Sequence, residues 1–177
     1  WLADYGAKQI ARDIELLKEA NVNAVRVHGH VQREEFYQAC DEAGILVWCD
    51  FALQWGYVND EAFQKEALSQ VRDWVHMLRN RPSIMAWCCH NEPTHTRETL
   101  SPMLAESVRE LDRSRPVIEA SDFREHAYPG WYAGSIEDFT RLPAGPLMTE
   151  YGAQALPSEA MLRSMFEEKD LWPQTNE

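Results

Sequence analysis

The sequence predicts an α/β protein of the (β/α)8 class, present as an incomplete barrel of about six βα units. Three observations point there. Short apolar segments alternate with helical patterns, the segments are too uniformly apolar for a sheet left uncovered, and no GxGxxG or GxxxxGKS/T stretch follows an early strand. The last observation disfavours a doubly wound nucleotide-binding sheet, the other architecture that fits strict alternation.

The candidate strands are "NAVRV" (23–27), "ILVWCD" (45–50), "SIMAWC" (83–88), "PVIEA" (116–120), "AYPGWY" (127–132) and "PLMTE" (146–150). Each is short, apolar and bounded by turn residues. Between them, Ile10, Ile14 and Leu17 recur at helical spacing, and "EEFYQACDEAG" ends on Gly44, a natural helix stop. From Asp60, the residues Phe63, Ala67, Val71, Trp74, Val75 and Leu78 share one stripe that stops before Pro82. Ser101 and Pro102 read as a cap and a first-turn proline for a helix carrying Leu104, Val108 and Leu111, and Ser158 as the cap of a last helix through Leu162, Met165 and Phe166.

Composition narrows the function classes. The 177 residues, 45% apolar, suffice for one sizeable core, so residues 1–177 are read as a single, partial barrel domain. A net charge of −12, from 29 acidic against 17 basic side chains, with no basic stripe, argues against a nucleic-acid partner. No apolar run approaches the roughly 20 residues that cross a bilayer, which argues against a membrane partner. "WLADYGAKQIARD" has neither a signal pattern nor an initiating Met, so the start of the protein is expected upstream and localisation stays open. Cys40, Cys49, Cys88 and Cys89 lack metal-ribbon spacing and are expected as core thiols.

In barrels the chemistry gathers at the C-terminal ends of the strands. Here those ends carry Arg26, His28 and His30; Asp50 and Trp55; His90, Asn91 and Glu92; Asp122; Trp131 and Tyr132; and Glu150. Glu92 and Glu150 each close an apolar segment ahead of a loop marker, Pro93 or Gly152. Two carboxylates on one rim are what glycosidic bond hydrolysis requires, one protonating the leaving oxygen and the other meeting the anomeric carbon. Asn91 could donate to a neighbouring sugar hydroxyl. For either glutamate taken alone, a loop or helix-start acid is the simpler reading; finding both at strand ends beside Arg and aromatic groups favours the hydrolytic one.

"NVNAVRVHGHVQREEFYQACDEAGILVWCDF", "NRPSIMAWCCHNEP", "SRPV" and "PLMTEYGAQALPS" together resemble the catalytic TIM barrel of glycoside hydrolase family 2, the β-galactosidases, β-glucuronidases and β-mannosidases. The resemblance implies a retaining, exo-acting β-glycosidase working by double displacement, with Glu92 as general acid/base and Glu150 as nucleophile. It also implies that Arg26 holds the nucleophile ionised and that Tyr128, preferred over Tyr132, stands beside it. His28, His30 and His90 are expected on sugar hydroxyls. Asp50 and Asp122 read equally as hydroxyl binders or as salt-bridging and capping acids. Trp55 and Trp131 read as stacking platforms or as packing.

No cofactor is expected, and no metal, since no His-x-x-x-His helix or acid cluster accompanies the histidines. The substrate is expected to be a β-mannoside or a β-galactoside, with a β-glucuronide behind them for want of a basic pair to meet a uronate. The resemblance places the first and eighth barrel strands and the flanking β-sandwich domains outside this segment, which alone is expected to be weak or inactive. The rival reading keeps the rim as a non-catalytic carbohydrate-binding surface. A Schiff-base aldolase is disfavoured because no strand end carries Lys.

Overall fold

A computed structural model describes residues 5–130, 132, 134–141, 147–152 and 155–171. Its described residues fall into two compact units, the first running to His126 and taking in 147–149, the second holding the rest.

The first unit is built on a parallel sheet of order β1-β2-β3-β4, with β1 Ala24–Val27, β2 Leu46–Asp50, β3 Ile84–Cys88 and β4 Val117–Ile118. α1 (Ala7–Glu19), α2 (Glu34–Ala43), α3 (Glu61–Leu78) and α4 (Leu100–Leu111) alternate with the strands, the βαβ pattern of a barrel. Consecutive strands are neighbours throughout, so the sheet is four adjacent staves of that architecture.

Local chemistry explains the elements. Asp60 caps α3 by accepting from the Phe63 N–H at 2.8 Å, and Gly44 ends α2 in the left-handed region at φ 70°, where a side chain would be strained. α4 begins two residues earlier than "SP" suggests: Thr99 is the flanking residue, Ser101 lies inside the helix, and Pro102 is still in the first turn, where its missing N–H costs nothing.

The core lies between sheet and helices. Val27, Val47, Cys49 and Trp87 pack with Ile10 and Ile14 of α1, Tyr37 of α2, Val71, Trp74 and Leu78 of α3, and Leu104 and Val108 of α4. Trp48, Ala86 and Cys88 cluster on the opposite face with Met85 and Ile118. β2 pairs with β3 through a register shift: Val47 faces Ile84 and Trp48 faces Ala86, so Met85 is an extra residue. That bulge resets the side-chain alternation and brings Asp50 opposite Cys88. On the side of β3 that packs on the helices, Asp112 accepts from Trp87 Nε1 at 2.9 Å and from Arg115 at 2.7 Å. Burial pushes the Asp112 carboxyl up, but hydrogen bonds from Ser114, Trp87 and Arg115 outweigh it and hold the acid well below the usual carboxylate range.

Three expected strands shrink, the first being "PVIEA", of which β4 keeps only Val117–Ile118. Among the described residues of "AYPGWY", Ala127 alone lies in a strand, β5 (His126–Ala127), and β6 is Glu150–Tyr151, so Glu150 opens its strand instead of closing one. Within the second unit the Gly152 N–H donates to the Ala127 carbonyl at 3.2 Å. A 3-10 helix at Ile136–Arg141, α5 (Glu159–Met165), capped by Ser158, and α6 (Glu168–Leu171) complete that unit.

Candidate active site

The first unit gathers most of the expected rim residues. Asp50, the last residue of β2, is fully buried and accepts from Arg26 at 2.8 and 3.0 Å, from Trp48 Nε1 at 2.9 Å and from the Gly29 N–H at 3.2 Å. His28 Nδ1 stands 3.1 Å from the same carboxylate. Of the two readings of Asp50, the geometry matches the salt-bridging one: protein donors meet both oxygens, and Asp50 orients Arg26 and His28. Arg26 in turn donates to Asn91 Oδ1 at 2.7 Å. That bond assigns the amide oxygen of Asn91 to Arg26.

Glu92 is set by its backbone as much as by its side chain. Pairing resumes after β3 at Asn91, which bridges Gln54 on one side and Ser121 on the other. The Glu92 N–H donates to the Ser121 carbonyl at 2.9 Å, and Glu92 sits in the left-handed region at φ 46°, as does Trp55 at φ 62°. Such a conformation costs a non-glycine residue about 1–2 kcal/mol and persists only where its surroundings over-determine it. They do here. Trp55 Nε1 donates to Glu92 Oε2 at 3.0 Å, and His126 Nδ1 lies 3.0 Å from Glu92 Oε1. The Glu92 side chain is still 38% exposed, so a carboxyl held on both oxygens keeps a path to a ligand.

The histidines divide. His90, expected on a sugar hydroxyl, is fully buried with Nδ1 3.2 Å from Ser101 Oγ and Nε2 3.2 Å from the Trp55 carbonyl. Its position corrects that expectation, because both nitrogens are taken up by the protein and none reaches the rim. Burial pushes its pKa down to about 4, so it is a neutral packing group that pins the Trp55 backbone. His30 Nδ1 lies 2.9 Å from the His28 carbonyl. Asp122 is buried in an ion pair with Arg97, the salt-bridging alternative of its two readings. Trp55 is 58% exposed, and its N–H bond to Glu92 adds to the stacking and packing roles considered for it.

In the second unit, Tyr128 donates its hydroxyl to the Glu150 carboxylate. Tyr132 meets the Tyr128 ring edge-on, with centroids 5.3 Å apart and planes at 83°. A phenol on one carboxylate oxygen restricts the Glu150 rotamer, and the second ring buttresses that phenol. Trp131 lies outside the described residues.

Residues 5–170 match the family model described as "Glycosyl hydrolases family 2, TIM barrel domain". The chain belongs to glycosyl hydrolase family 2. Among curated relatives, a β-mannosidase of Capra hircus is 26% identical, over 89% of this chain and 23% of that protein. A crystal structure of a β-D-mannosidase from Dictyoglomus thermophilum superposes with a TM-score of 0.78 at 25% identity, over 96% of this chain and 24% of that one. A Bacteroides uniformis β-glucuronidase shares the fold, with a TM-score of 0.69 at 20% identity, over 85% of this chain and 23% of that one. The chain therefore spans about a quarter of the length of these proteins.

Sequence reasoning missed His126. It belongs to no motif quoted above, and the only available signal was a histidine two residues before Tyr128 in "EHAY". Its side chain is 3% exposed, and Nε2 lies 3.2 Å from Ser121 Oγ.

Proposed function

We propose that this segment is the catalytic core of a retaining, exo-acting β-glycosidase that cleaves β-mannosides by double displacement. Glu92 protonates the departing glycosidic oxygen and then activates water; Glu150 attacks the anomeric carbon, giving a glycosyl ester that water resolves with net retention. Arg26, Asn91 and His28 meet the sugar or its reacting centre, and Tyr128 and Tyr132 serve the nucleophile. The observation that carries the reading is Glu92, a partly exposed carboxyl held on both oxygens beyond the C-terminal end of a parallel strand in a family 2 chain. Double displacement asks for carboxyl groups about 5–5.5 Å apart.

The mannosidases among the relatives put β-mannoside first, and the β-galactoside expected beside it becomes the comparison substrate. We further propose that the intact protein carries flanking β-sandwich domains. The test uses that intact protein with aryl β-mannosides, β-galactosides and β-glucuronides. A 2-deoxy-2-fluoro glycosyl fluoride should add one sugar mass to the peptide carrying Glu150, and the product should keep its anomeric configuration. Inversion, or a label on any other residue, would refute the mechanism. Sugar binding with no turnover would favour the non-catalytic alternative.

A further inference from the structure

We infer that His126 is the positioning residue of the acid/base carboxyl, and that Ser121 ties this histidine and the Glu92 backbone into one closed ring. The inference rests on the glycosidase reading above. Three contacts close the ring. The Glu92 N–H donates to the Ser121 carbonyl at 2.9 Å, Ser121 Oγ lies 3.2 Å from His126 Nε2, and His126 Nδ1 lies 3.0 Å from Glu92 Oε1. Ser121 is itself anchored, since its N–H donates to the His90 carbonyl at 3.0 Å and its hydroxyl stands 2.8 Å from Thr149 Oγ1. His126 is almost fully buried, whereas the Glu92 carboxyl is partly open. The imidazole is therefore a fixed support and the carboxyl the working group.

The arrangement answers a geometric problem. Glu92 sits at φ 46°, a region that a glutamate leaves readily unless held, and a general acid must meet the leaving oxygen within hydrogen-bond reach. Trp55 holds Oε2 from an exposed indole, while His126 holds Oε1 from the interior. His126 is thus held at both ring nitrogens, by Glu92 Oε1 at Nδ1 and by Ser121 Oγ at Nε2. The carboxyl is then presented in one rotamer for both proton donation and water activation. Because the ring runs through both the backbone and the side chain of Glu92, its loss falls on proton transfer to the leaving group.

Leaving-group dependence in the intact enzyme tests this, because activated aryl glycosides depart without a proton and unactivated ones need it. His126→Ala should lower kcat/KM on phenyl or alkyl β-glycosides by about 100-fold and on 2,4-dinitrophenyl β-glycosides by less than about threefold, the split expected when general acid catalysis is lost. His126→Asn, whose amide nitrogen reaches the Nδ1 position, should recover most of that loss. Ser121→Ala, which keeps the carbonyl under Glu92, should show the same split at smaller size. Equal losses on both substrate types, or no loss on either, would overturn the assignment while leaving the glycosidase reading standing. A wild-type enzyme that cleaves none of the glycosides would overturn both.

Discussion

Replacing Asp50 by Ala should be among the most damaging single changes in this chain. The Asp50 side chain is 0% exposed and that of Arg26 11%, with 2.8 Å between Oδ2 and Nη2. Removing one partner of such a buried pair costs about 3–5 kcal/mol, because the other charge is left buried and uncompensated. The Trp48 indole and the Gly29 N–H lose their acceptor as well, adding roughly 1–3 kcal/mol. Contributions that share one site do not sum in full, so the expected loss is about 4–6 kcal/mol. For a chain of 177 residues that corresponds to a fall in Tm of about 10–20 °C. Asp50→Asn keeps an acceptor without the charge and should lose about half as much. The double variant Asp50→Leu, Arg26→Met removes both charges and should be milder than Asp50→Ala alone. Thermal unfolding of the intact protein, followed by tryptophan fluorescence, measures all three. A loss below about 1 kcal/mol for Asp50→Ala, or a double variant less stable than the single one, would refute the reasoning that Asp50 is a buried structural hub.

Two further outcomes follow from burial. His90 has its pKa pushed down to about 4 against an ordinary value of about 6.5, so between these pH values the unfolded chain binds the proton more readily than the folded one. Its stabilising contribution is whole above about pH 6.5 and is lost as the pH falls towards 4, by up to about 3 kcal/mol. Urea midpoints at pH 7 and pH 4.5 should show that loss, and His90→Gln should flatten it; an unchanged slope in the variant would sink the assignment. Burial also pushes the Cys40 thiol up to about 11 and those of Cys49 and Cys89 up to about 12, with Cys88 raised well above its usual value. All four should resist iodoacetamide at pH 8 in the native protein and react after unfolding, as read by mass spectrometry. Rapid native labelling of any one would show that the core is open.

Legibility in the sequence followed the source of each element's stability. β2 and β3 were readable because apolar side chains line both of their faces, β1 because Val25 and Val27 alternate on one face, and α3 because a continuous stripe and an Asp cap mark it. β5 and β6 were misjudged in extent. Each is two residues long, and what makes them strands is pairing between distant segments, not their own composition. Ser101 looked like a helix cap but supports His90 from inside α4, a partnership across α4 and the end of β3 that no local pattern announces.

The sequence by itself determined the alternation of strands and helices, the family, and the pair of glutamates worth testing, because apolar periodicity and short motifs are local properties. Only the tertiary structure decided what each polar side chain does. His90 and Asp50 stand at strand ends beside Glu92 and yet turn inward, whereas His126, 34 residues beyond Glu92, reaches its carboxylate. The physical reason is that side-chain direction past a strand end depends on the bulge at Met85, the left-handed backbone at Trp55 and Glu92, and the neighbours that hold them. Those are long-range outcomes of packing, written across segments that meet only once the chain has folded.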